Sequence, residues 1–186
     1  MKKIILLAFA AIISVAAIAQ NSTDSVPKEL TREQKKAQKE AIRLAEFKET
    51  EQLINSQKFV LEANYRSGRT GARFYVTSSL NFIKIDSTNI TIQIGSNSRI
   101  GYNGVGGVTV VGKIQRYKVD TNEKRKTFFI RINMMGSTGS YDIFMNISSS
   151  GSTTATVTGL YPGGIVYDGV LVPLEKSIIY TGSPSY

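Results

Sequence analysis

The pattern of apolar and polar positions changes once along the chain, near Lys58, and each side of that change predicts a different kind of structure. Over 31–55 there is no glycine or proline, and Thr31 and Gln34 stand at the spacing of a capping box, so a helix is predicted there. At 100° per residue Ala37, Ala41, Leu44, Ala45, Phe47 and Ile54 share a broad apolar face, which Glu51 interrupts and from which Ile42 and Leu53 fall outside. Lys35, Lys36, Lys39, Glu40 and Arg43 make the first half a solvated surface, so only the second half is predicted to dock. Beyond Lys58 the period shortens to two, and clusters of glycine, serine and asparagine recur at the spacing of an all-β sandwich or barrel. The predicted strands are 58–65, 72–77, 80–86, 89–94, 107–119, 126–134, 141–147, 153–158 and 165–172.

Three of these strands can be registered from sequence, because side chains on one face must meet side chains on that same face. Placing Met134 opposite Tyr141 puts Ile132 against Ile143, Ile130 against Met145 and Phe128 against Ile147, and the next hairpin continues with Met145 opposite Ala155 and Ile143 opposite Val157. One face is then almost wholly apolar. The other carries Phe129, Arg131, Asn133, Asp142, Phe144, Asn146, Thr154, Thr156 and Thr158, with Arg131 opposite Phe144 and diagonal to Asp142 for a cation-π and charge contact. A wet face behind a dry one is the pattern of an antiparallel sheet. The dry side suits a packed core and a lined cavity equally.

The ends add a compartment. Lys2 and Lys3, the apolar run Ile4 to Ile18 and Ala17-Ile18-Ala19 read as a secretory signal over 1–19, cleaved after Ala19, followed by a polar lead over 20–30. The apolar run is short of the roughly 20 residues that span a bilayer, so the mature protein is predicted to be periplasmic or secreted and not membrane-spanning. The whole chain carries 23 Lys and Arg against 14 Asp and Glu, a formal charge of +9, concentrated in Arg116 to Lys126. That balance suits an anionic surface or ordinary solubility; nucleic acid is not predicted as a partner, since the compartment is wrong and no base-stacking motif accompanies the charge.

Candidate chemistry is sparse. The chain has no histidine, cysteine or tryptophan, which removes the commonest general base, the thiolate nucleophile, disulfides and the usual transition-metal ligands. No catalytic residue, metal site or cofactor is predicted. In GYNGVGGVTVVGKIQ (101–115), Gly107 and Gly112-Lys113 fall one residue short of a phosphate loop, Ile114 stands where a magnesium-binding hydroxyl belongs, and Val108 to Val111 is strongly β-forming. The stretch is better read as a loop feeding a strand, with Gly112 marking a bulge, a bend or a close backbone approach. Arg66, Arg69 and Arg73 surround Ser67-Gly68 as a charged turn or an anion-holding rim, and Tyr102, Tyr161 and Tyr167 lie beside glycine-rich segments. Of these, Arg66, Arg69, Tyr102 and Tyr167 are the candidate ligand-binding residues. Lys124, Arg125 and Lys126, in a hairpin of turn composition, are the candidate contact surface.

The order of phrases is familiar: INSQKFVLEANY (54–65), IDSTNITIQIG (85–95), GYNGVGGVTVVG (101–112), GSYDIFMNISSSGSTTATV (139–157) and GIVYDGVLV (164–172). Together they resemble the secreted family of Bacteroides-group bacteria known as domain of unknown function 4251. The resemblance implies a lipocalin-like barrel and an envelope or secreted location, with no functional residues to carry over. The chain is thus predicted to be mainly β, an antiparallel up-and-down barrel of about eight strands over 58–180, preceded by one helix. Three functions fit, in this order: a non-enzymatic binding module for a small apolar or amphiphilic ligand inside the barrel; a structural or adaptor protein of the cell envelope with a solid barrel and a basic contact surface; and a glycan-processing enzyme, which needs two carboxylates facing one cleft.

Overall fold

The computed structural model describes residues 31–68, 70–96, 101, 103–159 and 164–185. The predicted signal and polar lead lie outside these residues. The chain divides into two units, Met1–Lys35 and Lys36–Tyr186. Of the first, the described part is the start of α1 (Arg32–Ser56), where the capping box forms reciprocally: the Thr31 N–H donates to Gln34 Oε1 at 2.9 Å and the Gln34 N–H to Thr31 Oγ1 at 3.3 Å.

The second unit holds the rest of α1 and nine strands: β1 (Lys58–Ser67), β2 (Arg73–Tyr75), β3 (Phe82–Asp86), β4 (Asn89–Ile94), β5 (Val108–Asn122), β6 (Thr127–Gly136), β7 (Gly139–Ser148), β8 (Ser152–Thr158) and β9 (Ile165–Pro173). Neighbours follow the order β2-β1-β3-β4-β5-β6-β7-β8-β9, all pairs antiparallel, and β1 also pairs with β9, so eight strands close into a barrel while β2 rides on β1 as a short arm. The predicted register of β6, β7 and β8 is the observed one, from Phe128 against Ile147 to Ile143 against Val157.

Inward side chains from every barrel strand join one hydrophobic cluster, among them Phe59, Leu61, Ile83, Ile92, Phe128, Met134, Ile143 and Tyr167. Burying a side chain of this size contributes roughly 1.5–3 kcal/mol. The second half of α1 covers the end of the barrel where β1 begins. Phe47 stacks on Phe128 with centroids 4.6 Å apart, Thr50 Oγ1 donates to the Ser149 carbonyl at 2.7 Å, and the Tyr117 hydroxyl donates to the Ile54 carbonyl at 3.0 Å. Buried Phe47, Thr50 and Ile54 mark the docked stripe, and Leu53 packs partly against the core. Leu44, placed on the apolar face by periodicity, is exposed, because the helix has run past the barrel wall there.

Two bulges reset the alternation. In β1 the pairing with β9 steps from Ala63–Gly169 to Tyr65–Asp168, leaving Asn64 as the extra residue. In β5 the pairing with β6 steps from Ile114–Met134 to Arg116–Asn133, leaving Gln115 extra and turning Tyr117 and Val119 toward the core. Of the bulge, bend or close approach expected at Gly112, the bulge falls instead at Gln115. Gly112 itself marks a close approach: a Cβ there would lie 2.5 Å from the Met135 carbonyl oxygen. Gly169 is tighter still, with the Glu62 carbonyl oxygen 2.0 Å from such a Cβ, so the β1–β9 seam that closes the barrel depends on a missing side chain.

Beyond β9 a single 3-10 turn (Leu174–Lys176) sends the chain back across the outer side of the barrel. The Ser177 hydroxyl and the Ile178 N–H both donate to Glu62 Oε1, the Tyr180 N–H to the Ser79 carbonyl, the Ser183 N–H to the Asn103 carbonyl and the Ser185 N–H to the Thr109 carbonyl. This strap continues past 180, the predicted end of the barrel region. Its anchor is Gln93, whose side chain donates to the Leu80 and Tyr180 carbonyls and accepts from Thr109 Oγ1 and the Gly182 N–H. Gln93, Thr91, Val60 and Phe82 are accordingly buried although they point away from the barrel core.

Candidate functional site

The end of the barrel opposite the helix has the β1–β2, β2–β3, β4–β5, β6–β7 and β8–β9 connections, and here the Asn64 bulge decides the chemistry. Unbroken alternation from Phe59, Leu61 and Ala63 would turn Tyr65 inward and Arg66 out. With the extra residue, Tyr65 faces out beside Asp168, and Arg66 comes opposite Tyr167 on the inner side. Outside, Tyr65 meets Tyr75 edge-on at 5.6 Å and carries the Arg73 guanidinium 3.9 Å above its ring, while Arg73 Nε lies 3.2 Å from Asp168 Oδ2. Asp168 also accepts from Thr154 Oγ1 at 2.7 Å.

Arg66 borders a cleft of about 390 Å³, whose other described lining residues are Phe74, Tyr75, Val76, Thr77, Asn81, Gly95 and Ser96. None of them is acidic. Asn81 fixes the wall: its Nδ2 donates to the Thr77 and Gly95 carbonyls and its Oδ1 accepts from the Gly95 N–H, which uses both donors of the amide. Arg66 Nε is buried and has no hydrogen-bond partner. The carboxylates of β1 and β9 are engaged elsewhere, Glu62 with the strap and Asp168 with Arg73.

Of the predicted ligand-binding residues, Arg66 and Tyr167 are directly opposite one another, whereas Arg69 and Tyr102 lie outside the described residues, as does Tyr161. Tyr167 is wholly buried and its hydroxyl donates to the Gln93 carbonyl at 3.2 Å. Since β1 and β3 stand between β9 and β4 in the sheet, this side chain crosses the lumen and braces it. The loop after Gly101 is held by Asn103, whose Oδ1 accepts from the Val105 and Gly107 N–H groups and whose Nδ2 donates to Thr109 Oγ1. Sequence reasoning missed Phe74, Val76 and Asn81 as cleft walls. The one local signal was Asn64, a poor strand former within an apolar run.

The predicted contact surface is divided by the helix. Lys124 and Arg125 are exposed on the β5–β6 turn, but the Arg125 carbonyl accepts from Arg43 Nη2 at 2.8 Å. Lys126 lies 4.8 Å from the Phe47 ring centre and 3.3 Å from Glu123 Oε2, so it helps seat the helix. On the sheet's outer face, Arg131 lies opposite Phe144 as predicted, but its charge partner is Asp120 at 3.1 Å and not Asp142, which Asn133 Nδ2 occupies from directly across at 2.9 Å. Phe129 and Phe144, 41% and 50% exposed, border a cleft of about 310 Å³ with Lys118, Asp120 and Arg131. Among the described residues no group of three or more acidic side chains stands ready for a metal, and no helix is long and apolar enough to cross a membrane.

The family profile described as Domain of unknown function (DUF4251) matches residues 42–171. A solved structure of a DUF4251 family protein from Bacteroides eggerthii DSM 20697 is similar at 29% identity, with 72% of this chain and 91% of that chain covered and a TM-score of 0.59. No match is found among curated proteins. The profile takes in both the docked half of the helix and the seam that closes the barrel, and on that match the chain belongs to the DUF4251 family.

Proposed function

We propose that the protein is an exported, non-enzymatic binding module that takes a small apolar or amphiphilic molecule at the open end of its barrel. The observation that carries this reading is the cleft of about 390 Å³ beside Arg66, within the size range of small-ligand sites and lined by Phe74, Tyr75 and Val76 together with the polar side chains of Arg66, Thr77, Asn81 and Ser96. The mouth is favoured over the deep lumen because Tyr167 crosses the interior and the helix covers the far end. Native mass spectrometry of gently purified protein, together with displacement of a fluorescent fatty-acid probe, tests it. A co-purified small molecule or saturable probe binding is expected; the absence of both sinks the reading. Export is tested separately by sequencing the mature N-terminus, expected at Gln20.

A second reading, an envelope adaptor, is favoured by the outer sheet face, where Phe129 and Phe144 stay exposed beside the Lys118, Asp120 and Arg131 ion network. Retention on envelope fractions that is lost on replacing Phe129 and Phe144 by serine, but unchanged by charge reversal at Lys124 and Arg125, would favour this face over the hairpin. Retention of the serine variant at the wild-type level counts against it.

A further inference from the structure

We infer that the ligand of the mouth cleft carries a carboxylate and that Arg66 is the group that receives it; this inference rests on the binding-module reading above. The three other arginines of the strands supply the contrast, and of these Arg116 is exposed to solvent. Arg73 is paired with Asp168 and stacked on Tyr65, and Arg131 is paired with Asp120. Arg66 is turned inward by a bulge, pairs with no carboxylate among the described residues and keeps a buried Nε–H without an acceptor. Leaving a donor in that state costs free energy that proteins ordinarily avoid, and bulges are a recurrent means of re-aiming one side chain at a site.

None of the described groups around the cleft carries a negative charge to answer the guanidinium: Asn81 is held by backbone, Thr77 and Ser96 are neutral hydroxyls, and Phe74, Tyr75 and Val76 supply the apolar part of the wall. An incoming anion therefore meets one cation with an apolar strip, Phe74 to Val76, beside it, which suits a charged head on an apolar tail. A small rotation of the side chain presents its Nε–Nη edge to the cleft as two parallel donors, the arrangement that matches the two oxygens of a carboxylate. A single guanidinium balances a carboxylate's single charge, whereas a phosphate monoester carries nearly two charges at neutral pH and needs further donors.

Probe displacement at pH 7.5 and low salt, with decanoate, decanol and decyl phosphate against the mature chain, separates the possibilities. Decanoate is expected to bind about 10- to 100-fold more tightly than decanol, the range of one charged hydrogen-bonded contact. Arg66→Met should erase that difference without weakening decanol, and Arg66→Lys should restore only part of it. Equal affinities for decanoate and decanol in the unaltered protein overturn the carboxylate inference and leave the cleft standing, and tighter binding of decyl phosphate than of decanoate overturns the choice of head group. If none of the three binds, the binding-module reading falls with the inference.

Discussion

The two ends of the barrel differ in whether every buried polar group is answered. Where the helix docks, Thr50 reaches the Ser149 carbonyl, Tyr117 reaches the Ile54 carbonyl, and the Lys126 ammonium lies over Phe47 while paired with Glu123. At the other end Arg66 Nε is buried with nothing to donate to among the described residues, in a wall where Asn81 is held by the Thr77 and Gly95 backbone. One end is satisfied as it stands and holds the fold closed. The other keeps an unmet donor in an open cleft, which is the condition a ligand can relieve.

The contrast can be broken most severely at the helix end. Phe128→Ala removes a wholly buried ring and its stacked partner contact with Phe47, and should lower stability by about 3–5 kcal/mol in urea unfolding. A loss below about 1 kcal/mol would mean that the helix does not anchor the barrel. Next is the strap: Gln93→Ala strips four hydrogen bonds from one buried amide, and a cost of about 1–3 kcal/mol is expected, with faster amide exchange at Gly182. Unchanged exchange there would show that the strap holds without Gln93.

Tyr117→Phe should cost about 1 kcal/mol at neutral pH, the worth of one hydrogen bond. It also has a pH signature. Burial pushes the Tyr117 phenol well above its ordinary 10.0, so the native state holds this proton more tightly than the unfolded chain does. Its stabilising share is complete below about pH 10 and is lost as pH climbs from there toward the raised native value. Unfolding midpoints at pH 9 and pH 11 should therefore differ less in the phenylalanine variant than in the unaltered protein; the same difference in both would contradict burial of the phenol. The smallest effect belongs to the mouth. Arg66→Met removes a donor with no partner, so stability should change by less than about 0.5 kcal/mol or rise slightly.

The sequence made the alternating parts of this structure readable and hid the parts that depend on distant chain. Ile130, Ile132, Ile143 and Met145 declare their face because each neighbour repeats the same two-residue phase, and the β6–β7–β8 register followed from that. Arg66 could not be placed in the same way. It sits beyond a bulge, and one extra residue reverses every face after it, so a charged turn and an inward cation look alike in the string Asn64-Tyr65-Arg66. Gly112 was legible as a place where a side chain is excluded, but the phase slip lay at Gln115, where nothing local marks it. The strap was hidden for a different reason: Gln93 and Thr109 look like ordinary outer-face polar residues, and their burial comes from a segment far along the chain. Family resemblance supplied the closure of the barrel, since the β1–β9 pairing joins the two ends of the strand region and no periodicity encodes it.

The central claim is that Arg66 serves a ligand and not the fold. Thermal unfolding of the unaltered protein and of Arg66→Met, each with and without saturating decanoate, tests it directly. Without ligand the variant should melt at or above the temperature of the unaltered protein, and the same concentration of decanoate should raise the melting temperature of the unaltered protein by more than that of the variant. A variant that melts several degrees lower without ligand, or that gains as much from decanoate as the unaltered protein does, would contradict the account.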